Sequence, residues 1–251
     1  MSEKLKQSNQ THPIVNHPYQ RLQVELETII ANTKAGEKLL TEPMLALQLG
    51  VSRSTLREAM RTFEAQGRIR RQQGIGTFVV DKSQVMDAGL EKLESIESIA
   101  KRINLPVSMG RSSIEHIQAD KTLMELMLVE KGQPLVKLSR IIQVEKRPVA
   151  YLIDILLDGL LSEEDLKLGF TGSVLDLLMK SAHAQPDKSF TEIQAVAATP
   201  EIAHTLQIQR GDVLLHFNAK LHSKSGQIVD HSESYFLPGY FRFHVVRTVG
   251  V

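Results

Sequence analysis

The run from residue 41 to residue 80 constrains this chain most. It sets two short amphipathic helices, a tight glycine turn and a glycine-tipped basic hairpin end to end. Thr41 opens the first helix as a candidate cap for its free backbone N–H groups, Met44, Leu45 and Leu49 point inward, and Gly50 ends it. Val51 anchors the turn and Ser52 is a good N-cap. Leu56, Ala59, Met60 and Phe63 then repeat at i, i+3, i+4 and i+7, one face of a second helix. Two short helices joined by a glycine turn form the helix-turn-helix pattern. An earlier helix carries Leu22, Leu26, Ile29 and Ile30 on one face and closes at Lys34-Ala35-Gly36.

The second helix of the pair exposes Arg53, Ser54, Thr55 and Arg57 at its N-terminal end. Arg can bond guanine bidentately, and Ser or Thr reaches bases or phosphates. N-terminal residues of such a helix are the ones that meet base edges in the major groove. Two β-prone stretches around Gly74-Ile75-Gly76 follow, and a hairpin placed there reads as a wing. From 53 to 80 the basic residues are Arg53, Arg57, Arg61, Arg68, Arg70 and Arg71, against only Glu58 and Glu64. The whole-chain charge of +1 averages this patch away.

These residues carry a family resemblance. Leu39-Leu40-Thr41-Glu42, Leu49 to Ala59 and Arg71 to Val79 resemble the DNA-binding domain of the GntR family, over roughly Tyr19 to Val80. The family's usual Leu-Pro-Ser-Glu is Leu-Leu-Thr-Glu here, which keeps the hydroxyl at Thr41. The resemblance implies that Arg53, Ser54, Thr55 and Arg57 read DNA, with Thr41, Glu42, Ser52, Arg71 and Gln73 at the same interface. It also implies that Gly74, Gly76 and Thr77 touch the minor groove or phosphates.

The remaining chain reads as α+β around an antiparallel sheet. The expected division is a flexible polar arm (1–17), a winged helix-turn-helix domain (18–80), a linker (81–89) and a second domain (90–251). Leu90 to Asn104 reads as a helix. Leu135 to Val144 and Pro148 to Leu157 read as strands, and Ser173 to Ser181 as a helix. Ser189 to Ala197 is a strand, and Thr199-Pro200-Glu201 starts a helix. Val213, Leu215, Phe217, Ala219 and Leu221 alternate along one strand face. Ile228 to Phe236 returns antiparallel after the turn at Ser223 to Gly226, and Tyr240 to Arg247 makes a last strand.

This order resembles the UTRA sensor domain of HutC-type GntR regulators, with its chorismate-lyase-like fold. The segments that carry the likeness are Leu138 to Pro148, Gly172 to Leu175, Ala203 to Leu214 and Glu233 to Phe243. The resemblance places Glu94, Ser95, Arg140, Ser173, Asp230 and Phe236 around an effector. Plainer readings stand beside it: Arg140 as a strand arginine paired with a carboxylate, Ser173 as a helix N-cap, Asp230 as a surface acid near a turn. Ile142, Leu152 and Phe236 replace the family's usual polar residues. An unpaired polar group is costly to bury, so these changes point to an effector poorer in hydroxyls than a phosphosugar, with one acid group for Arg140.

With 42% hydrophobic residues the chain can bury two modest cores. It has no cysteine, which excludes disulfides, zinc fingers and thiol catalysis and suits a reducing cytoplasm. No apolar run reaches the ~20 residues that span a bilayer, so no membrane partner is expected, and no cofactor either. The expected protein is a regulator, a repressor in the family's common mode. Its partners are a pseudo-palindromic double-stranded DNA operator, a second copy of itself and a small-molecule effector, with 81–89 as the hinge. Two other functions compete. One is an enzyme built on histidines at 183, 204, 216, 222, 231 and 244, although no hydrolase, metalloprotease or P-loop motif is present. The other is an architectural DNA binder that ignores metabolites.

Overall fold

A computed structural model describes residues 18–72, 74–162, 164–165 and 173–249. The arm 1–17, Gln73 and Gly172 lie outside the described residues.

Three helices and a hairpin make the first unit: α1 (Pro18–Asn32), α2 (Glu42–Gln48), α3 (Arg53–Ala65), β1 (Ile69–Gln72) and β2 (Gly76–Val79). Leu22, Leu26 and Ile30 of α1 meet Leu45 of α2, Leu56, Met60 and Phe63 of α3, and Ile69 and Val79 of the hairpin in one core. Leu45 and Ala46 are the buried residues of α2, whereas Met44 is 54% exposed, against expectation. A seven-residue helix has room for a single inward stripe, and Leu45, Ala46 and Leu49 fill it. The Thr41 side chain makes no cap hydrogen bond; Pro43, which has no N–H to satisfy, stands in the first turn. Ser52 does cap α3, accepting from the Thr55 N–H at 3.1 Å. Between the two helices Gly50 sits at φ +64°, a left-handed conformation that costs other residues strain.

The hairpin is widened by the segment before α2. Leu39 N–H donates to Thr77 O at 2.8 Å and Val79 N–H to Glu37 O at 2.9 Å. This backbone pairing fixes the wing against the helices.

The stretch expected to be a linker is only partly one. A 3-10 turn (Lys82–Gln84) precedes β3 (Met86–Gly89), which pairs in parallel with β10 (Phe241–His244). The expected helix over Leu90 to Asn104 is shorter: α4 spans Ile96–Arg102. Ser95 caps it from the Ser98 N–H at 3.1 Å, and that cap defines the start. Leu90 and Leu93 lie in the loop before it, 40% and 47% exposed.

Six antiparallel strands follow in the order β4-β5-β6-β9-β8-β7. They are β4 (Val107–Gln118), β5 (Pro134–Val144), β6 (Arg147–Leu157), β7 (Pro186–Ala197), β8 (Val213–Ser223) and β9 (Ile228–Phe236). β4 and the helix α5 (Lys121–Met127) have no counterpart in the sequence reading. The strand expected over Tyr240 to Arg247 is confined to β10.

Strand residues alternate between faces. On one face α5 packs on Leu135 and Leu157, and α7 (Pro200–Leu206) packs beside Tyr151 and Tyr235. On the other, α4 covers Ile142, Leu152 and Phe236, and α6 (Val174–Lys180) covers Leu138, Leu156 and Leu221. α4 and α6 do not cover that second face completely, and a cavity remains.

Candidate functional site

The first site is the N-terminal end of α3. Arg53, Ser54, Thr55 and Arg57 are all exposed there, on consecutive turns of one helix end. The Ser52 hydroxyl is occupied: besides the cap it lies 2.8 Å from both Ser54 Oγ and Thr55 Oγ1. Arg57 Nε is held by Glu42 Oε2 at 2.6 Å, so Glu42 aims an arginine and does not itself present a donor. The Thr41 side chain is exposed nearby, as is Gly74 at the wing tip.

Two residues expected to touch DNA are turned inward. Thr77 is 6% exposed, buried beneath the strand pairing at Leu39. Arg71 donates from Nη1 to Gln209 Oε1 at 3.1 Å and pairs with Glu64 at 3.5 Å and Glu42 at 3.8 Å. Burial pushes the Glu64 carboxyl up, and the Arg71 charge pulls it part of the way back.

The basic patch therefore divides. Arg53 and Arg57 face outward, and Arg68 binds Glu27 on α1 at 2.7 Å. Arg61, Arg70 and Arg71 face the second unit. Arg61 Nε lies 3.9 Å from Asp212 Oδ1, and the Arg70 guanidinium sits over the Tyr240 ring at 4.4 Å. Gly239, at φ +85°, lets the backbone come this close: a Cβ there would lie 2.8 Å from Arg70 Cγ. Gln209, Asp212, Gly239 and Tyr240 were not singled out from the sequence. Surface arginines look alike in a sequence whether they face phosphate or protein.

The second site is the cavity of about 690 Å3 left on the sheet face. Its floor follows from register. Arg140 on β5 stands opposite Leu152, and Asp154 on β6 stands opposite Ser232 on β9. Asp230, Ser232, Ser234 and Phe236 share that face, with Phe217, Ala219 and Leu221 across from them on β8. The loop before α4 and the start of α6 form the roof. All six residues expected around an effector, Glu94, Ser95, Arg140, Ser173, Asp230 and Phe236, line this one cavity.

Several of their side chains are already engaged by protein partners. Ser95 donates its hydroxyl to Asp176 Oδ2 at 2.9 Å, and Ser173 caps α6 from the Asp176 N–H at 3.1 Å. Glu94 is bound by Arg102 at 2.8 Å. Arg140 lies 3.7 Å from Glu97 and 3.8 Å from Asp154, so its plainer reading as an ion-paired strand arginine holds. Asp230 is 6% exposed and not a surface acid. Burial and the neighbouring Asp154 charge push its carboxyl well above the ordinary range, against a smaller pull from Arg140. Burial also raises Asp154. Ile142 and Leu152 are packed under α4 in the core, so only Phe236 of the three replaced positions reaches the cavity. Phe217 and Phe243 flank it, with ring centroids 5.1 and 5.0 Å from that of Phe236.

Two of the six candidate histidines are engaged in packing between strands. His231 is buried with Nε2 3.1 Å from Asn218 Oδ1, and His216 stacks on Tyr235 at 4.5 Å. Among the described residues no group of three His, Asp or Glu side chains could hold a metal ion, and no helix is long and apolar enough to cross a membrane.

Comparison with known proteins agrees with both halves. The pattern for bacterial regulatory proteins of the gntR family matches residues 18–79, and the UTRA domain pattern matches residues 108–242. The HTH-type transcriptional repressor NagR of Bacillus subtilis is 27% identical over 233 residues, covering 90% of this chain and 92% of that protein. The uncharacterised HTH-type regulator YurK of the same organism is 27% identical, covering 82% and 87%. Among solved structures, PhnF from Mycobacterium smegmatis superposes with a TM-score of 0.62 at 18% identity, over 91% of this chain and all of that one. The shared fold, the exposed arginines of α3 and the sensor cavity belong together: this chain is a member of the GntR family, a DNA-binding transcriptional regulator that joins a winged helix-turn-helix to a UTRA effector-binding domain.

Proposed function

We propose that this regulator is a repressor. Two copies set the N-terminal ends of their α3 helices into successive major-groove faces of a pseudo-palindromic operator, and a small molecule in the sheet cavity changes the affinity. Arg53 and Arg57 read bases, Ser54, Thr55 and Thr41 meet phosphates or bases, and Gly74 and Gly76 let the wing approach the backbone. The proposed boundaries are a DNA head over 18–80 and a sensor from β3 onward, with the hinge reduced to 81–85.

The observation that carries this reading is the physical link between the two sites. The chain leaving the wing at Val80 becomes β3, pairs with β10, and runs directly into the loop that roofs the cavity. Arg61, Arg70 and Arg71 hold the head against the same unit. A ligand that reshapes the roof changes the footing of the head. It shifts the equilibrium only as far as it prefers one footing over the other.

Footprinting on the DNA upstream of the protein's own gene tests the operator. Two protected half-sites about one helical turn apart, or a multiple of it, are expected. A reporter driven by that DNA should rise when the regulator is deleted. A single unsymmetrical footprint, or a reporter that falls, contradicts the dimeric repressor.

A further inference from the structure

The strongest unclaimed feature is the charge inside the cavity. Taking the cavity as the effector site, as proposed above, we infer that its ligand carries a protonated nitrogen with N–H donors, an ammonium or guanidinium, seated on Asp230 and Asp154 at the sheet floor.

Lys92 and Lys188 belong to the loop and β7 walls of the cavity, whereas its sheet floor holds one guanidinium among the described residues, Arg140, beside the carboxyl groups of Asp154 and Asp230, with Glu97 and Asp176 close by. Arg140 already faces two of these acids, and Asp176 is engaged by the Ser95 hydroxyl. Asp154 and Asp230 are each 6% exposed and line the cavity. Asp154 Oδ2 and Asp230 Oδ1 are buried acceptors with no hydrogen-bond partner among the described residues. A buried carboxylate oxygen left without a donor is costly. A carboxylate or phosphate group seated there would add a further negative charge beside them, whereas the floor calls for donors. An ammonium supplies both charge and donors, and charge-assisted bonds of this kind are the strong ones. Phe217, Phe236 and Phe243 offer the ligand's carbon skeleton an apolar wall beside the acids. The arrangement reverses the expectation of an acid group bound by Arg140: that guanidinium is already paired with Glu97 and Asp154, and Asp230 Oδ1 is left as a buried acceptor without a hydrogen bond.

Calorimetry on the full chain tests this with matched probes: 2-phenylethylamine, agmatine and spermidine against 2-phenylethanol, phenylacetate and glucose 6-phosphate. At least one amine should bind, and 2-phenylethylamine should bind at least about tenfold more tightly than phenylacetate. Asp230→Asn should weaken amine binding about tenfold or more while the variant stays folded, because it removes a buried like charge. Glu192→Gln makes the same acid-to-amide change at an exposed position of β7 that does not line the cavity, and should change little. The inference is overturned if no amine binds at ~10 mM, a Kd near the weak limit of specific recognition. It is equally overturned if phenylacetate or glucose 6-phosphate binds more tightly than the amines, or if Asp230→Asn leaves amine affinity unchanged. Operator affinity measured with the same probes separates the two claims. Amine binding that depends on Asp230 but leaves DNA affinity untouched keeps the cation site and removes its role as the switch. An anionic probe that alters DNA affinity keeps the switch and removes the cation.

Discussion

Arg53 is the residue whose loss should be felt most directly on DNA. The side chain is exposed at the N-terminal end of α3, so Arg53→Ala should lower specific affinity by about 1–3 kcal/mol and leave random-DNA binding almost unchanged. A uniform loss on every sequence would make it a phosphate contact. Gly50 tests the turn. An added Cβ there meets nothing within 4 Å, so Gly50→Ala should cost only the left-handed backbone strain, about 1–2 kcal/mol in chemical denaturation. A neutral result would mean the turn relaxes. Asp230 tests the cavity floor through pH. It faces Arg140 on β5, Asp154 on β6 and, through Arg140, Glu97 on α4. Its folded carboxyl titrates above its unfolded value, so its contribution favours the fold at low pH and is lost as pH rises through the raised value. The Tm of Asp230→Asn relative to the parent should therefore climb as pH rises above the ordinary carboxylate range. A flat difference would show that Asp230 is not strained by its neighbours.

At the scale of elements, the helices of the DNA head and most strands of the sensor were legible in the sequence. α1 and α3 show uninterrupted helical stripes, and β5, β6, β8 and β9 are apolar or alternating runs bounded by turn residues. β4 was not legible because it is an edge strand whose residues are nearly all exposed or half-buried, with no apolar face to announce it. β3 was hidden for another reason: four residues paired with a strand more than 150 positions away carry no local signal. Leu90 and Leu93 imitated helical spacing and proved to be roof residues of the cavity. The six effector positions were found through family likeness, but Asp154, Glu97 and Asp176, which set the charge, were not. Their meaning depends on which side chains lie across the sheet or under a helix, and strand register supplies that only once the strands are paired. The same limit applied to Arg71, whose partners Gln209, Glu64 and Glu42 come from three separate segments. Arg71→Ala should speed hydrogen exchange over residues 69–79 and leave residues 134–157 unchanged. Equal change in both, or in neither, would mean that the head is not held through this contact.

The molecule as a whole is a reading head and a sensor that share a frame. α3 leads into a wing whose arginines rest on the sensor, and the wing leads into a strand that ends at the cavity. The central claim is that the head reads a particular DNA sequence. Fluorescence anisotropy of the full chain on DNA from upstream of its own gene, against random DNA at one stated salt concentration near physiological, tests it most directly. The account predicts binding at least about a thousandfold tighter to the upstream DNA, a ratio that Arg53→Ala largely abolishes. Equal binding to both DNAs, with and without a metabolite extract, would contradict it.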